Sequence, residues 1–154
     1  MHIVLQRVKS AGLWIQGREH AAIGPGLVLL VGFGREDGPK APDSAPWAKL
    51  LDKIVSLRIF PDHKGRSQAS LTDIRGSLLI VSQFTLYANW RKGRRPSFTP
   101  AAPPDRAQVL FHRFVADLTR LAPGVVACGE FGADMDVWLC NWGPFTLTLS
   151  SNEH

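Results

Sequence analysis

Runs of apolar residues alternate with short polar breaks along the whole chain, and their period changes from segment to segment. "HIVLQRV" is an opening strand by its β-branched and alternating content, and "LWIQG" followed by "REHAAIG" has the form of a hairpin pair. "GLVLLVGFG" is apolar without alternation, which predicts a central strand covered on both faces. After the proline-punctuated loop "REDGPKAPDSAP" the period becomes helical. Trp47, Leu50, Leu51, Ile54 and Val55 fall on one face, with Ser44 placed to cap the helix and Pro46 suited to its first turn. "RIFPDHKGRSQASLTDIRG" is turn-rich. "SLLIVSQFTLYA" is the next strong strand, with alternation setting Gln83 and Thr85 on one side and Ser82 and Phe84 on the other.

A second helix is predicted over "PPDRAQVLFHRFVADLTRL". Its Ala107, Leu110, Phe111, Phe114, Val115, Leu118 and Leu121 recur at three and four, and Pro123-Gly124 follows its end. "VVACGEF", "ADMDVWLC" and "PFTLTLS" close the chain as three strands, the last two joined by a hairpin at Gly143-Pro144. About eight strands and two helices, grouped rather than alternating, predict an α+β fold with a mainly antiparallel sheet. With no repeat and no long linker, residues 1–154 are expected to form a single domain.

Composition narrows the classes. Apolar residues make up 45% and charged residues 20%, an ordinary globular balance, and no apolar run approaches the ~20 residues that span a bilayer. The first residues lack signal-peptide architecture, so a cytoplasmic protein without a membrane partner is expected. Cys128 and Cys140 lie in strand-like segments without zinc spacing, which predicts small buried thiols in a reducing compartment and no metal. No phosphate-binding glycine signature is present, which excludes a P-loop nucleotide hydrolase. The net charge of +5 is concentrated in "NWRKGRRPSF", where Arg91, Lys92, Arg94 and Arg95 stand between Trp90 and Phe98. Such a cluster suits phosphates, with aromatics available to stack on bases; a solvated basic loop is the plainer alternative.

Chemistry concentrates in two stretches. Ser82, Gln83 and Thr85 are polar groups on a strand apolar enough to be central, so they serve either neighbouring backbone or the wall of a pocket. Gly143-Pro144 is not the pair that a two-residue hairpin prefers, and Pro cannot donate to a ladder. The five histidines lie outside both stretches, and no Ser-His-Asp set or carboxylate pair is legible. Asp134 and Asp136 are expected to face solvent or serve structure.

Taken in order, "QRV", "LRIF", "SQFTLYA", "RKGRRPSF" with "AAPP", "FGADM" and "NWGPFT" closely resemble the D-aminoacyl-tRNA deacylase family. The resemblance covers nearly the whole chain. It implies a partly barrel-like sheet with two principal helices, a homodimer, no cofactor, and tRNA rather than DNA as nucleic-acid partner. It implies hydrolysis of the ester joining a D-amino acid to tRNA, of glycyl-tRNA mischarged on tRNA(Ala), and rejection of L-aminoacyl-tRNA. Ser82, Gln83, Phe84 and Thr85 would form the catalytic segment. Gly143 and Pro144 would project into the other subunit's pocket with a cis peptide bond, supported by Arg7 and Asn141. Val81, Leu86, Phe131 and Met135 would receive the adenosine, and the basic loop would meet tRNA phosphates.

Four positions depart from the family pattern. Ser67-Gln68 stand in "GRSQASL" where Met-Asn is expected, Trp142 where a small or acidic residue is usual, and Phe145 where Val is common. Two rivals stay open on sequence: a related deacylase with Pro-Gln-Ala-Thr in its strand motif, against which "SQFT" argues, and a non-catalytic RNA-binding dimer.

Overall fold

The computed structural model describes residues 1–62, 64–91 and 93–151. Its strands are β1 (His2–Ile15), β2 (Arg18–Ile23), β3 (Gly26–Gly32), β4 (Phe60–Pro61), β5 (Ser67–Ala69), β6 (Ser77–Ser82), β7 (Val126–Cys128) and β8 (Met135–Ser150). Two helices, α1 (Ala45–Ser56) and α2 (Pro104–Leu121), complete it. β1 is the hub. It pairs antiparallel with β3 through its first half, with β2 through its second, and with β8 along nearly its whole length. β3, β6 and β7 then run parallel, so the sheet is mixed and curls until β2 approaches β6 and β7. The fold is α+β, as expected, with a nearly closed sheet.

Strands without alternation are buried on both faces here. In β3, Leu27, Leu29 and Val31 point to the helices, while Val28 points into a second cluster inside the curl. β6 repeats this, with Leu78 and Ile80 towards the helices and Leu79 and Val81 towards the curl. Phe111 and Phe114 of α2 are sealed against the main core, where Trp47 meets Phe114 edge-on at 5.7 Å. Each fully buried side chain of this size contributes about 1.5–3 kcal/mol, so the α1–α2 layer anchors the face beneath the sheet. Ser44 caps α1 by accepting from the Trp47 amide at 3.4 Å.

Four expectations are corrected. β8 is one strand, and Gly143-Pro144 makes no hairpin. Both flanks of the pair bond to β1, with Gln6 opposite Thr146 and Val8 opposite Asn141, so the residues between them bulge out of the ladder. β6 ends at Ser82, and Phe84–Tyr87 form a 3-10 turn, which breaks the alternation expected for Ser82–Thr85. Cys140 is exposed rather than buried, because β8 lies on the sheet edge and this residue faces outward; Cys128 is half-buried. Leu121 is also exposed, since α2 ends there and runs off the core.

Candidate active site

The parallel pairing of β3 with β6 delivers the chain to the site. The Gln83 amide donates to the Val31 carbonyl at 2.7 Å, extending the ladder one residue past β6. The backbone then tightens into the 3-10 turn, where Leu86 N–H donates to the Gln83 carbonyl. A 3-10 turn leaves its first amides without an internal acceptor, and here those belong to Phe84 and Thr85. The turn passes close over the end of β3. A methyl group on Gly32 would lie 2.6 Å from the Gln83 carbonyl oxygen, so glycine is what lets this segment settle.

Beside the turn lies a cavity of about 790 Å³. Val81, Ser82, Gln83 and Phe84 form one wall, and Phe131, Met135 and Val137 form another. Phe33, Phe98 and the Ala101–Pro104 stretch close it, with Arg35 and Asp134 as charged members of the lining. The volume lies within the range of small-molecule sites, and the mix of apolar walls with a few polar groups is typical of them. Thr85 is exposed at the far side of the turn, where the Gln83 side-chain amide donates to its hydroxyl at 2.5 Å. Thr85 and Leu86 are not lining residues. Phe84 is 55% exposed and meets Phe98 edge-on at 4.9 Å, joining the turn to the end of the basic loop.

The basic loop is pinched at its neck. Asn89 and Ser97 exchange backbone hydrogen bonds of 2.7 and 2.8 Å, and Trp90, Arg91, Arg94 and Arg95 stand exposed beyond them. Lys92 lies outside the described residues. Among the described residues no group of three or more His, Cys, Asp or Glu side chains is placed to hold a metal ion. No helix among them is long and apolar enough to cross a membrane.

The Gly143–Pro144 peptide bond is cis, and the pair is not among the residues lining its own chain's cavity. The bulge is held from beneath. Arg7, buried on β1, donates from Nε to the Trp142 carbonyl at 2.7 Å and from Nη1 to the Ile59 carbonyl. Asn141 spans the base of the bulge, accepting from the Phe145 amide at 2.7 Å and donating to the Thr146 hydroxyl at 3.1 Å. Gly143 sits at φ +140°, a conformation that favours glycine. The sequence therefore pointed to four segments, of which two, around Ser82 and Phe131, form walls of the cavity, while the basic loop reaches it only through Phe98. Gly143-Pro144 with Arg7 and Asn141 forms a separate bulge.

Sequence reasoning missed Phe33, Arg35, Phe98 and Ala101–Pro104 as cavity walls. Phe33 and Arg35 fall where the strand "GLVLLVGFG" gives way to the loop "REDGPKAPDSAP", and "AAPP" enters only as part of a resemblance. The one signal available was the unusual run of small residues and prolines just before α2.

A model of D-Tyr-tRNA(Tyr) deacylases matches residues 4–150. The chain belongs to that family. A D-aminoacyl-tRNA deacylase of Nitratidesulfovibrio vulgaris (strain DP4) is 51% identical over 153 residues, covering 99% of this chain and 94% of the relative. One from Solidesulfovibrio magneticus is 50% identical, covering 98% and 96%. Among solved structures, the c-Myc DNA unwinding element binding protein superposes with a TM-score of 0.86 at 35% identity, over 97% of this chain and 98% of that one. A chain described as "a probable eukaryotic D-amino acid tRNA deacylase" shares the fold at 20% identity, with a TM-score of 0.81 over 96% and 97%. This deacylase is thus an enzyme that hydrolyses the ester bond of D-aminoacyl-tRNA.

Proposed function

We propose that the enzyme works as a homodimer in the cytoplasm, where each copy's Gly143-Pro144 bulge enters the other's cavity and polices handedness. The observation that carries this reading is the separation of the two motifs. The Ser82–Phe84 wall opens onto a cavity that its own Gly143-Pro144 does not line, while the bulge projects from an edge strand. Among the described residues β8 pairs with β1 alone, and it leaves Val137, which lines that cavity, exposed, as a surface awaiting a second copy would.

Selection must act at Cα, because a fitted side-chain pocket would reject most D-amino acids. A ridge of backbone carbonyls placed where an L side chain would project excludes it by sterics and desolvation, and leaves D side chains free. Glycine has no side chain to exclude, so glycyl-tRNA mischarged on tRNA(Ala) passes as well. The adenosine rests among Val81, Phe131 and Met135, with Leu86 behind the wall. The free amides of Phe84 and Thr85 stabilise the oxyanion. Thr85 is a weak nucleophile without a base beside it, so the ribose 2′-OH orients the attacking water. Arg91, Lys92, Arg94 and Arg95 meet phosphates of the acceptor end.

The deciding experiment compares hydrolysis of D-Tyr-tRNA and L-Tyr-tRNA, with glycyl-tRNA(Ala) as a third substrate. Cleavage of the D and glycyl esters with the L ester spared is expected. Equal cleavage of D and L esters removes the handedness reading, and binding of tRNA without hydrolysis of any ester favours a non-catalytic RNA-binding dimer.

A further inference from the structure

Among the described residues Arg7 is a buried cation with no counter-ion: none of the ion pairs involves it, although only 8% of its surface is exposed. A buried charge needs compensation, and two carbonyl acceptors are a thin supply for five N–H donors. Burial lowers the pKa of its guanidinium, as loss of hydration requires. What surrounds the group instead is aromatic. The guanidinium carbon lies 5.3 Å from the ring centre of Trp142 and 5.0 Å from that of Phe145, both within reach of cation–π attraction.

Those two rings flank the Gly143-Pro144 pair on either side, and they are anchored. Trp142 meets the fully buried Phe60 edge-on at 6.3 Å, and both Trp142 and Phe145 pack on the main core. A line of contact therefore runs from the core through Phe60 and Trp142 to Arg7, and from Arg7 Nε back to the Trp142 carbonyl at the base of the bulge.

We propose that Trp142 and Phe145 act as positioning residues that replace a counter-ion for Arg7, and so set how strictly the bulge excludes L-aminoacyl esters. The inference rests on the reading that the bulge selects handedness. A carbonyl ridge excludes a side chain only if it cannot yield. Smaller residues at 142 and 145 leave Arg7 with carbonyls alone, and its charge is then better served by turning towards water. The bulge loses its support from beneath, and the L ester gains more than the D ester.

The test is the ratio of kcat/KM for D-Tyr-tRNA over L-Tyr-tRNA in W142L, the double variant W142L/F145L, W142F, and R7K combined with each background. The ratio is expected to fall by about tenfold in the double variant, the scale on which one missing packing group changes discrimination. It is expected to stay within about threefold in W142F, which keeps a ring over the cation. R7K is expected to lower the ratio in the wild-type background and add little in the double variant, because the three residues act as one unit. A folded double variant with an unchanged ratio overturns the proposal, as does a W142F loss equal to that of W142L, or an R7K effect that simply adds. Should the double variant not fold, the single variant W142L decides, by the same fall or its absence. A wild-type enzyme that fails to separate D from L overturns the reading of the bulge and this inference with it. A wild type that separates them while the variants do so equally well overturns the inference alone.

Discussion

Gly32 and Gly143 each keep open a space that a methyl group would fill, and the two spaces differ in what borders them. At Gly32 the nearest atom is the Gln83 carbonyl oxygen, which is backbone and cannot swing away. Gly32→Ala is expected to push the 3-10 turn off the end of β3 and lower kcat/KM for D-Tyr-tRNA by about a hundredfold, the effect of a displacement near 1 Å at reacting groups. Far-ultraviolet circular dichroism should stay native, and a rate within twofold of wild type would refute the argument. At Gly143 the added atom would meet the anchored Arg7 guanidinium at 2.9 Å and the Phe145 backbone nitrogen at 3.0 Å, and φ of +140° disfavours any L side chain. Thr85 tests the chemistry. Its hydroxyl is exposed and already accepts from Gln83, with no base beside it, so Thr85→Val is expected to retain hydrolysis within about tenfold. Loss of all turnover in a folded protein that still binds tRNA would favour a covalent route through Thr85.

The elements of the core were legible from period alone, because a buried strand and an amphipathic helix each print their spacing on the sequence. The strand β3 and the Trp47–Val55 face of α1 are such cases. Some residues of the cavity wall, Ser82 and Phe131 among them, were legible as identities, and the cavity's shape was not. Whether the chain reverses or bulges at Gly143-Pro144 depends on β1, more than a hundred residues away, which offers partners to both flanks. The turn at Phe84 likewise depends on Gly32 leaving room beneath it. Local alternation carries neither fact. α2 holds a further long-range dependence in Asp117, whose carboxylate accepts from the buried Trp47 indole at 3.0 Å and from Arg113 and Arg120 on its own helix. Asp117→Ala should destabilise the fold by about 2–3 kcal/mol, since it leaves the indole N–H buried without an acceptor. Asp117→Asn keeps an acceptor and should cost clearly less, and chemical denaturation of both variants measures the difference. Equal losses would mean that charge, not the indole bond, is what matters there.

At the scale of the molecule the question is how a chain of net charge +5 meets a polyanion without reading its sequence. The exposed arginines are not spread evenly. Arg91, Arg94 and Arg95 stand on a loop pinched by the Asn89–Ser97 pair, and Phe98 at its end touches Phe84 of the 3-10 turn beside the cavity. A phosphate held by the loop is therefore held at a fixed offset from the cavity, as orienting an acceptor end requires. Phosphate contacts release counterions, so affinity should fall steeply with salt, and each lost contact should reduce that slope by nearly one. Arg94→Ala with Arg95→Ala is expected to raise KM for D-Tyr-tRNA and flatten the log–log salt dependence of kcat/KM by about one to two, while kcat is largely kept. Binding should weaken alike for tRNAs of different sequence, because backbone contacts position without specifying. Measuring KM between low and physiological salt for two unrelated tRNAs checks both points together. A slope unchanged by the two substitutions would take the basic loop out of substrate binding and leave the cavity to hold the acceptor end alone.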